Sequence, residues 1–350
     1  MLSTSNYRNE QQAKTSNKTE EMLKELPEFV EDFFIGQKQK TSANTRLAYA
    51  YDIRIFLKYI YDKKFKDCYT SIAEITLNDL NNLSPKDIEK YLEYLSYYKT
   101  EDNIEHHNGE NGKARKLTAI KTMFHFFYRR EELTYDATSF VDLPKMHEKT
   151  IIKLDVDEIA KLLDEVESGE KLTAKQKVYH EYTKKRDLAI VALLLGTGMR
   201  VSECVGINID DVDFEYNGVK ITRKGGNESI VYFGEEVEEI LKQYLTERNE
   251  KPCLDEDKPL FLSMQNKRIS VRSVQKLVKK YSQLVTNLKK ITPHKLRSTY
   301  GTQLYQETGD IYLVADVLGH KDVNTTKKHY AQMDDQRRKA AAKFIKLRED

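Results

Sequence analysis

No apolar run in this chain approaches the roughly 20 residues that cross a bilayer, so no membrane span is expected. The first stretch, "MLSTSNYRNEQQAKTSNKTEE", has no apolar core of the kind that marks a secretory leader, and residues 1–22 read as a polar disordered lead. Cysteine is scarce. Cys68, Cys204 and Cys253 form no CxxC pair and leave an odd count, which argues against a disulfide framework or a zinc knuckle and fits a reducing cytoplasm. No HExxH pattern occurs, and the paired His106 and His107 sit in "TEDNIEHHNGENG", whose Gly, Asn and acidic residues read as a flexible loop. Neither a metal site nor a cofactor is expected.

A large excess of one charge sign is also missing, since 58 Lys and Arg stand against 56 Asp and Glu for a net charge of +2. The average hides segregation. From Lys267 to Arg297 there are ten basic residues and no acid; from Lys113 to Arg130 there are six, again with no acid. Solvated helix faces usually mix signs at helical spacing, whereas unmixed basic faces are the footprint of a polyanion binder. A nucleic acid is the expected partner.

At 350 residues the chain exceeds one ordinary core, and two domains are expected. The first half reads as a helical bundle. In "SANTRLAYAYDIRIFLKYI", Tyr49, Ile53, Phe56 and Ile60 recur at helical spacing. "SPKDIEKYLEYL" opens with Ser84 as N-cap, Pro85 in the first turn and Asp87 three residues after the cap. "KARKLTAIKTMFHFFYRR" sets Leu117, Ile120, Phe124 and Phe127 on one face, with Lys113, Lys116 and Lys121 expected on the other. Periodicity fails near "VDLPKMHEKTIIKLDVDEI", which places a boundary at about residue 149. The second half is mainly helical with one strand pair, "GVKITR" and "SIVYF", joined by "KGGNE".

Five places in that half carry chemistry-bearing residues. An apolar helix in "LLLGTGMRVSEC" ends in Gly196 and Gly198 and then presents Arg200, with Glu203 one turn on; a structural ion pair and a functional arginine are both open readings. Lys224 lies at the tip of the predicted hairpin, where a lysine is ordinarily just solvated. In "TPHKLRSTYGTQL", Pro293 starts a helix whose N-terminus, with His294 and Arg297 on one face, favours an anion. "VADVLGH" presents His320 after Gly319, and "KKHY" ends on Tyr330.

In order, Arg200, Glu203, Lys224, His294, Arg297, His320 and Tyr330 resemble the signature of the tyrosine recombinases, the phage-integrase family, and "TRKGG" with "TPHKLR" is similar to its single-recombinase Xer branch. Tyr330 lies ten residues after His320 where relatives commonly have nine, and Ser298 stands where many carry histidine. The resemblance implies a mainly α fold: a helical core-type DNA-binding domain at 23–148, a mixed helical catalytic domain with a small β-hairpin at 149–338, and a C-terminal exchange helix at 339–350 with Ala340, Ala341, Ala342, Phe344, Ile345 and Leu347 on an apolar face. It implies site-specific recombination through a 3′-phosphotyrosine, with Tyr330 as nucleophile, His294 as base, Lys224 as general acid, Arg200 and Arg297 on the phosphate, His320 assisting and Glu203 in support.

The implied partners are DNA with an inverted-repeat site, in a homotetramer on two sites, within a nucleoid-associated cytoplasmic protein; an accessory DNA translocase is left unknown. Lys116, Lys121, Arg272 and Lys276 are the candidate DNA contacts. About 20 polar residues precede the bundle, which favours the simple Xer architecture and chromosome dimer resolution over a mobile-element integrase. A type IB topoisomerase-like enzyme would share the tyrosine and the basic clamp, and a non-catalytic DNA-binding regulator would keep the fold without cleaving.

Overall fold

The computed structural model describes residues 3–100, 102–145, 152–223, 225–253, 255, 257–286, 288–320 and 322–323. Two compact units divide the chain: Arg8–Lys149, and Thr150–Asp350 together with Met1–Tyr7.

The first unit is built on helices α1 (Ser3–Leu23) from Arg8 onward, α2 (Glu28–Gln37), α3 (Ala43–Ile60), α4 (Leu77–Asn81), α5 (Pro85–Tyr94) and α6 (Glu110–Tyr128). The Ser42 hydroxyl accepts the Thr45 amide and starts α3, which runs on into a π turn, Tyr61–Phe65. Ser84 and Asp87 form a capping box on α5, with Pro85 in its first turn. Ile53, Phe56 and Ile60 of α3 meet Leu117, Ile120, Phe124 and Phe127 of α6 in a buried core. That core is aromatic: Phe56 meets Tyr91 edge-on at 5.2 Å and Phe29 meets Phe127 at 5.7 Å, the geometry ring quadrupoles favour.

Two expectations are corrected in this unit. The expected disordered lead is helix, because α1 occupies Ser3–Leu23 and buries Thr19 and Met22 near its end. Docking of that last turn fixes a helix whose own sequence carries no apolar stripe. The expected loop around His106 holds a hairpin, β1 (Tyr97–Lys99) with β2 (Glu105–His107), in register Tyr98↔His106 and with those two rings stacked at 4.9 Å.

The second unit contains α7 (Val156–Ser168), α8 (Ala174–Thr197), α9 (Val201–Gly206), strands β3 (Val212–Asp213), β4 (Gly218–Thr222) and β5 (Glu228–Tyr232), then α10 (Glu235–Glu250), α11 (Val271–Val285), α12 (Pro293–Thr308) and α13 (Ile311–Leu318). Its core is largely aliphatic, and Ala189 to Leu195 of α8 are buried in succession, since α7, α10 and α12 all pack on that helix. A helix apolar all round belongs in a core. The three strands pair antiparallel in the order β3-β4-β5, with Lys220 opposite Ile230. At the β4–β5 turn, Gly225 and Gly226 take φ values of 107° and 94°, which side chains rarely tolerate. The three cysteines are free thiols. Among the described residues no helix is long and apolar enough to cross a membrane, and no group of three His, Cys, Asp or Glu side chains could hold a metal ion.

Candidate active site

The site assembles around the C-terminal end of α13. An α-helix leaves its last four carbonyls without intrahelical donors. Here two carbonyls near the end are served by the backbone: Gly319 N–H donates to the Asp316 carbonyl at 2.8 Å and His320 N–H to that of Ala315 at 2.9 Å, with Gly319 in the left-handed region at φ 62°. The next three carbonyls each receive a different arginine. Arg223 Nη2 donates to Val317 O at 3.0 Å, Arg297 Nη2 donates to Leu318 O, and Arg200 Nη2 reaches Gly319 O at 3.5 Å.

Those arginines come from three parts of the unit. Arg200 lies just beyond α8, which ends on Gly198 at φ 62°. A Cβ on Gly198 would stand 2.4 Å from the Tyr300 ring, so the glycine lets this turn lie against α12. Glu203, in the first turn of α9, accepts the Arg200 backbone N–H at 2.7 Å and its Nη1 at 2.8 Å. The carboxylate is buried while the Arg200 side chain is 33% exposed, so the pair fixes the guanidinium with part of its surface open to solvent. The i,i+3 pair read from the sequence is therefore present. Arg297 is 4% exposed, and besides Leu318 it donates Nη1 to the Gly198 carbonyl at 2.8 Å. One guanidinium thus ties the turn before Arg200 to the turn before His320. A planar fork suits this bridging role, as a lysine would not.

His294 is exposed in the first turn of α12, where the helix N-terminus favours negative charge, and His320 is half-buried directly after Gly319. Arg200, Glu203, Arg297 and His320 are brought together, with His294 one turn before Arg297 on α12. Lys224, Tyr330 and residues 339–350 lie outside the described residues. Arg223 is the residue that sequence reasoning missed. Its signal was its position, a second cation beside Lys224 at the end of a strand.

Cys204, next to Glu203, is fully buried, and burial with the Glu203 charge pushes its thiol up to about 12. Farther away, buried Asp187 receives Arg186 Nε at 3.0 Å and Nη2 at 2.7 Å, and Tyr281 OH at 3.1 Å. Burial, together with the Asp187 charge and hydrogen bond, holds the Tyr281 phenol well above its ordinary range. That cluster serves α8 and α11, not the α13 end.

The four candidate DNA contacts separate. Arg272 and Lys276 are exposed one turn apart on α11, and Lys121 is half-exposed on α6. Lys116 differs from the expectation: it is 6% exposed, with Nζ 2.9 Å from Asn108 Oδ1. Ile120, four residues on, lies in the core, so the buried stripe of α6 is wide enough to carry Lys116 inward. Beside it, the Arg115 guanidinium grips buried Asp52 with two bonds of 2.6 and 2.8 Å.

Comparison with known proteins adds an independent line. Residues 152–337 match the phage integrase family. The chain is 31% identical over 326 residues to tyrosine recombinase XerC of Caldanaerobacter subterraneus, covering 91% of this chain and 86% of that one. It is 30% identical over 359 residues to tyrosine recombinase XerS of Streptococcus agalactiae, covering 93% and 98%. Among solved structures, the XerH site-specific recombinase bound to palindromic difH substrate superposes with a TM-score of 0.60 at 22% identity, over 86% of this chain and 79% of that one. A lambda integrase dimer bound to a COC′ core site gives 0.60 at 14% identity, over 85% and 95%. These structural likenesses concern the fold.

Proposed function

Because the chain belongs to the phage integrase family and is a tyrosine recombinase, an enzyme of DNA strand breakage and rejoining, we propose that it acts at inverted-repeat sites to resolve chromosome dimers in the Xer manner. Relatives named XerC and XerS that match along most of their length support the Xer role over that of a mobile-element integrase.

The chemistry follows from the residue types. Tyr330 attacks the phosphorus, a 3′-phosphotyrosyl bond forms, and the bond to the 5′ oxygen breaks. Tyrosine ordinarily ionises near pH 10, so His294 takes its proton. The departing 5′ oxygen needs a proton as well, and Lys224 donates it. Arg200 and Arg297 hold the non-bridging oxygens, where charge grows in the transition state, and His320 assists beside them. The phosphotyrosyl bond conserves the energy of the broken linkage, so attack by a new 5′ hydroxyl rejoins DNA without ATP.

One observation carries this reading: Arg297 links the Arg200 turn to the His320 turn, so that three family-pattern residues converge on one helix end. Exchange between two duplexes takes four cleavages, hence a homotetramer on two sites, with residues 339–350 docking into a neighbouring subunit. The protein works on nucleoid DNA in the cytoplasm.

A nicked suicide duplex tests the proposal. Wild type is expected to accumulate a covalent adduct, and Tyr330→Phe to bind the half-site equally well and form none. An adduct from Tyr330→Phe, or a phosphotyrosine mapped elsewhere, overturns the assignment of the nucleophile. Truncation before Ala340 is expected to spare half-site binding and abolish recombination between two full sites.

A further inference from the structure

We infer that Arg223 is a positioning residue: it anchors the turn end of the β4–β5 hairpin to the C-terminal end of α13 and so sets where Lys224 meets the scissile phosphate. The inference rests on the reading of Lys224 as the general acid and adds the residue that aims it.

The hairpin turn is made of residues that constrain the chain little. Two consecutive glycines follow Lys224, both with positive φ, and nothing within 4 Å would meet a Cβ on either. The turn is closed by backbone bonds, Arg223 N–H to Asn227 O at 2.8 Å and Gly226 N–H to Arg223 O at 3.1 Å. Such a turn fixes its own local shape but not its direction relative to the rest of the site. A side chain that reaches across must supply that direction.

Arg223 reaches across. Its Nη2 donates to Val317 O at 3.0 Å, and its guanidinium lies so close over Gly319 that a Cβ there would stand 1.6 Å from Nη1 and 2.5 Å from Cζ. Gly319 therefore serves two needs, the left-handed cap of α13 and the space that Arg223 fills. Val317, Leu318 and Gly319 are consecutive, and the arginines on the other two carbonyls are Arg297 and Arg200. The hairpin is thus referenced to the same three peptide groups that orient the phosphate-holding arginines. A displacement of about 1 Å in a reacting group can slow a reaction on the order of 10²-fold, so a shared reference point matters.

Single-turnover cleavage of a suicide duplex, with the bridging 5′ oxygen either native or replaced by sulfur, separates the possibilities. A thiolate departs without a proton, so a defect in proton donation is relieved by sulfur and a defect in holding the phosphate is not. Arg223→Ala is expected to cleave the oxygen substrate about 10²-fold more slowly, to bind the half-site as wild type does, and to recover on sulfur, as Lys224→Ala does. Arg223→Lys is expected to fall between the two, since an ammonium can reach one carbonyl but cannot cover Gly319. If Lys224→Ala recovers on sulfur and Arg223→Ala does not, Arg223 acts on the phosphate or the fold, and the inference fails.

If Lys224→Ala itself does not recover, the acid reading fails instead, and hydrogen exchange then decides whether Arg223 anchors the hairpin. In DNA-free Arg223→Ala the amides of Lys220 to Ile230 are expected to exchange faster while those of α12 stay unchanged. Equal exchange in both proteins overturns the anchor.

Discussion

Two arginine contacts, one in each unit, differ in what receives the guanidinium. In the first unit Arg115 meets the carboxylate of Asp52, which is 1% exposed while the arginine is 51% exposed. At the end of α13 peptide carbonyls are among the groups that receive Arg223 and Arg297. A carboxylate both orients a guanidinium and cancels its charge; a carbonyl only orients it. The first contact therefore builds a fold, since it makes burial of Asp52 tolerable. The second sets the direction of guanidiniums through peptide groups, at the site proposed to meet a phosphate. Arg200 stands between them, gripped by Glu203 yet one-third open to solvent.

Arg297→Ala should give the largest effect if this difference matters. Cleavage is expected to slow on the order of 10³-fold, the scale for losing a donor to developing charge, with half-site binding nearly intact. Arg297→Lys should also be impaired, because one ammonium cannot bridge Gly198, Leu318 and a phosphate. Near-normal single-turnover cleavage by either variant would break the comparison.

Asp52→Asn is expected to act on stability alone. Loss of a buried charged hydrogen-bond partner costs about 1–3 kcal/mol, toward the lower end here because Arg115 is half exposed and screened by water. Cleavage per folded molecule should not change. Burial lifts the Asp52 carboxyl above its ordinary range, against the opposing charges of Arg115 and Lys116. The folded state then holds that proton more tightly than the unfolded chain. The advantage of wild type over Asp52→Asn should be largest below the ordinary aspartate value and should shrink as pH rises through the raised folded value. Denaturant titrations of the two proteins at a series of pH values would measure it, and a constant difference would remove Asp52 from the balance.

The smallest effect concerns α6. Lys121→Ala should flatten the slope of log affinity against log salt by about one, the contribution of one phosphate contact. Lys116→Ala should leave the slope unchanged and lower stability instead, since its ammonium serves Asn108. A slope change from Lys116→Ala would mean that its buried placement does not hold on DNA.

What could be read from the sequence follows the range of the interactions. Arg200 with Glu203, and Ser84 with Asp87, were legible because i,i+3 partners are fixed by helix geometry. The stripe of α6 was legible as well, but its width was not, and Lys116 sits at its margin. The register of Tyr98 with His106 depends on pairing across a polar turn that carries no hairpin signature. α1 escaped notice because its sequence carries no apolar stripe, and its buried residues Thr19 and Met22 fall near its end. The contact of Arg223 was hidden for a different reason: its partner carbonyl lies 94 residues away, and a backbone acceptor leaves no trace in residue identity.

Cys204 gives the Arg200 turn a chemical clock. Only a thiolate reacts readily with alkylating reagents, and this thiol is sealed beside Glu203 and raised to about 12, while Cys68 is exposed and Cys253 half-buried on the same chain. Modification of Cys204 must therefore wait for α9 to open, and its rate relative to the other two sulfurs, which act as internal standards, times that opening. A cap held more firmly when DNA is bound would lengthen the delay at Cys204, with Cys68 reporting any general change in reagent or pH.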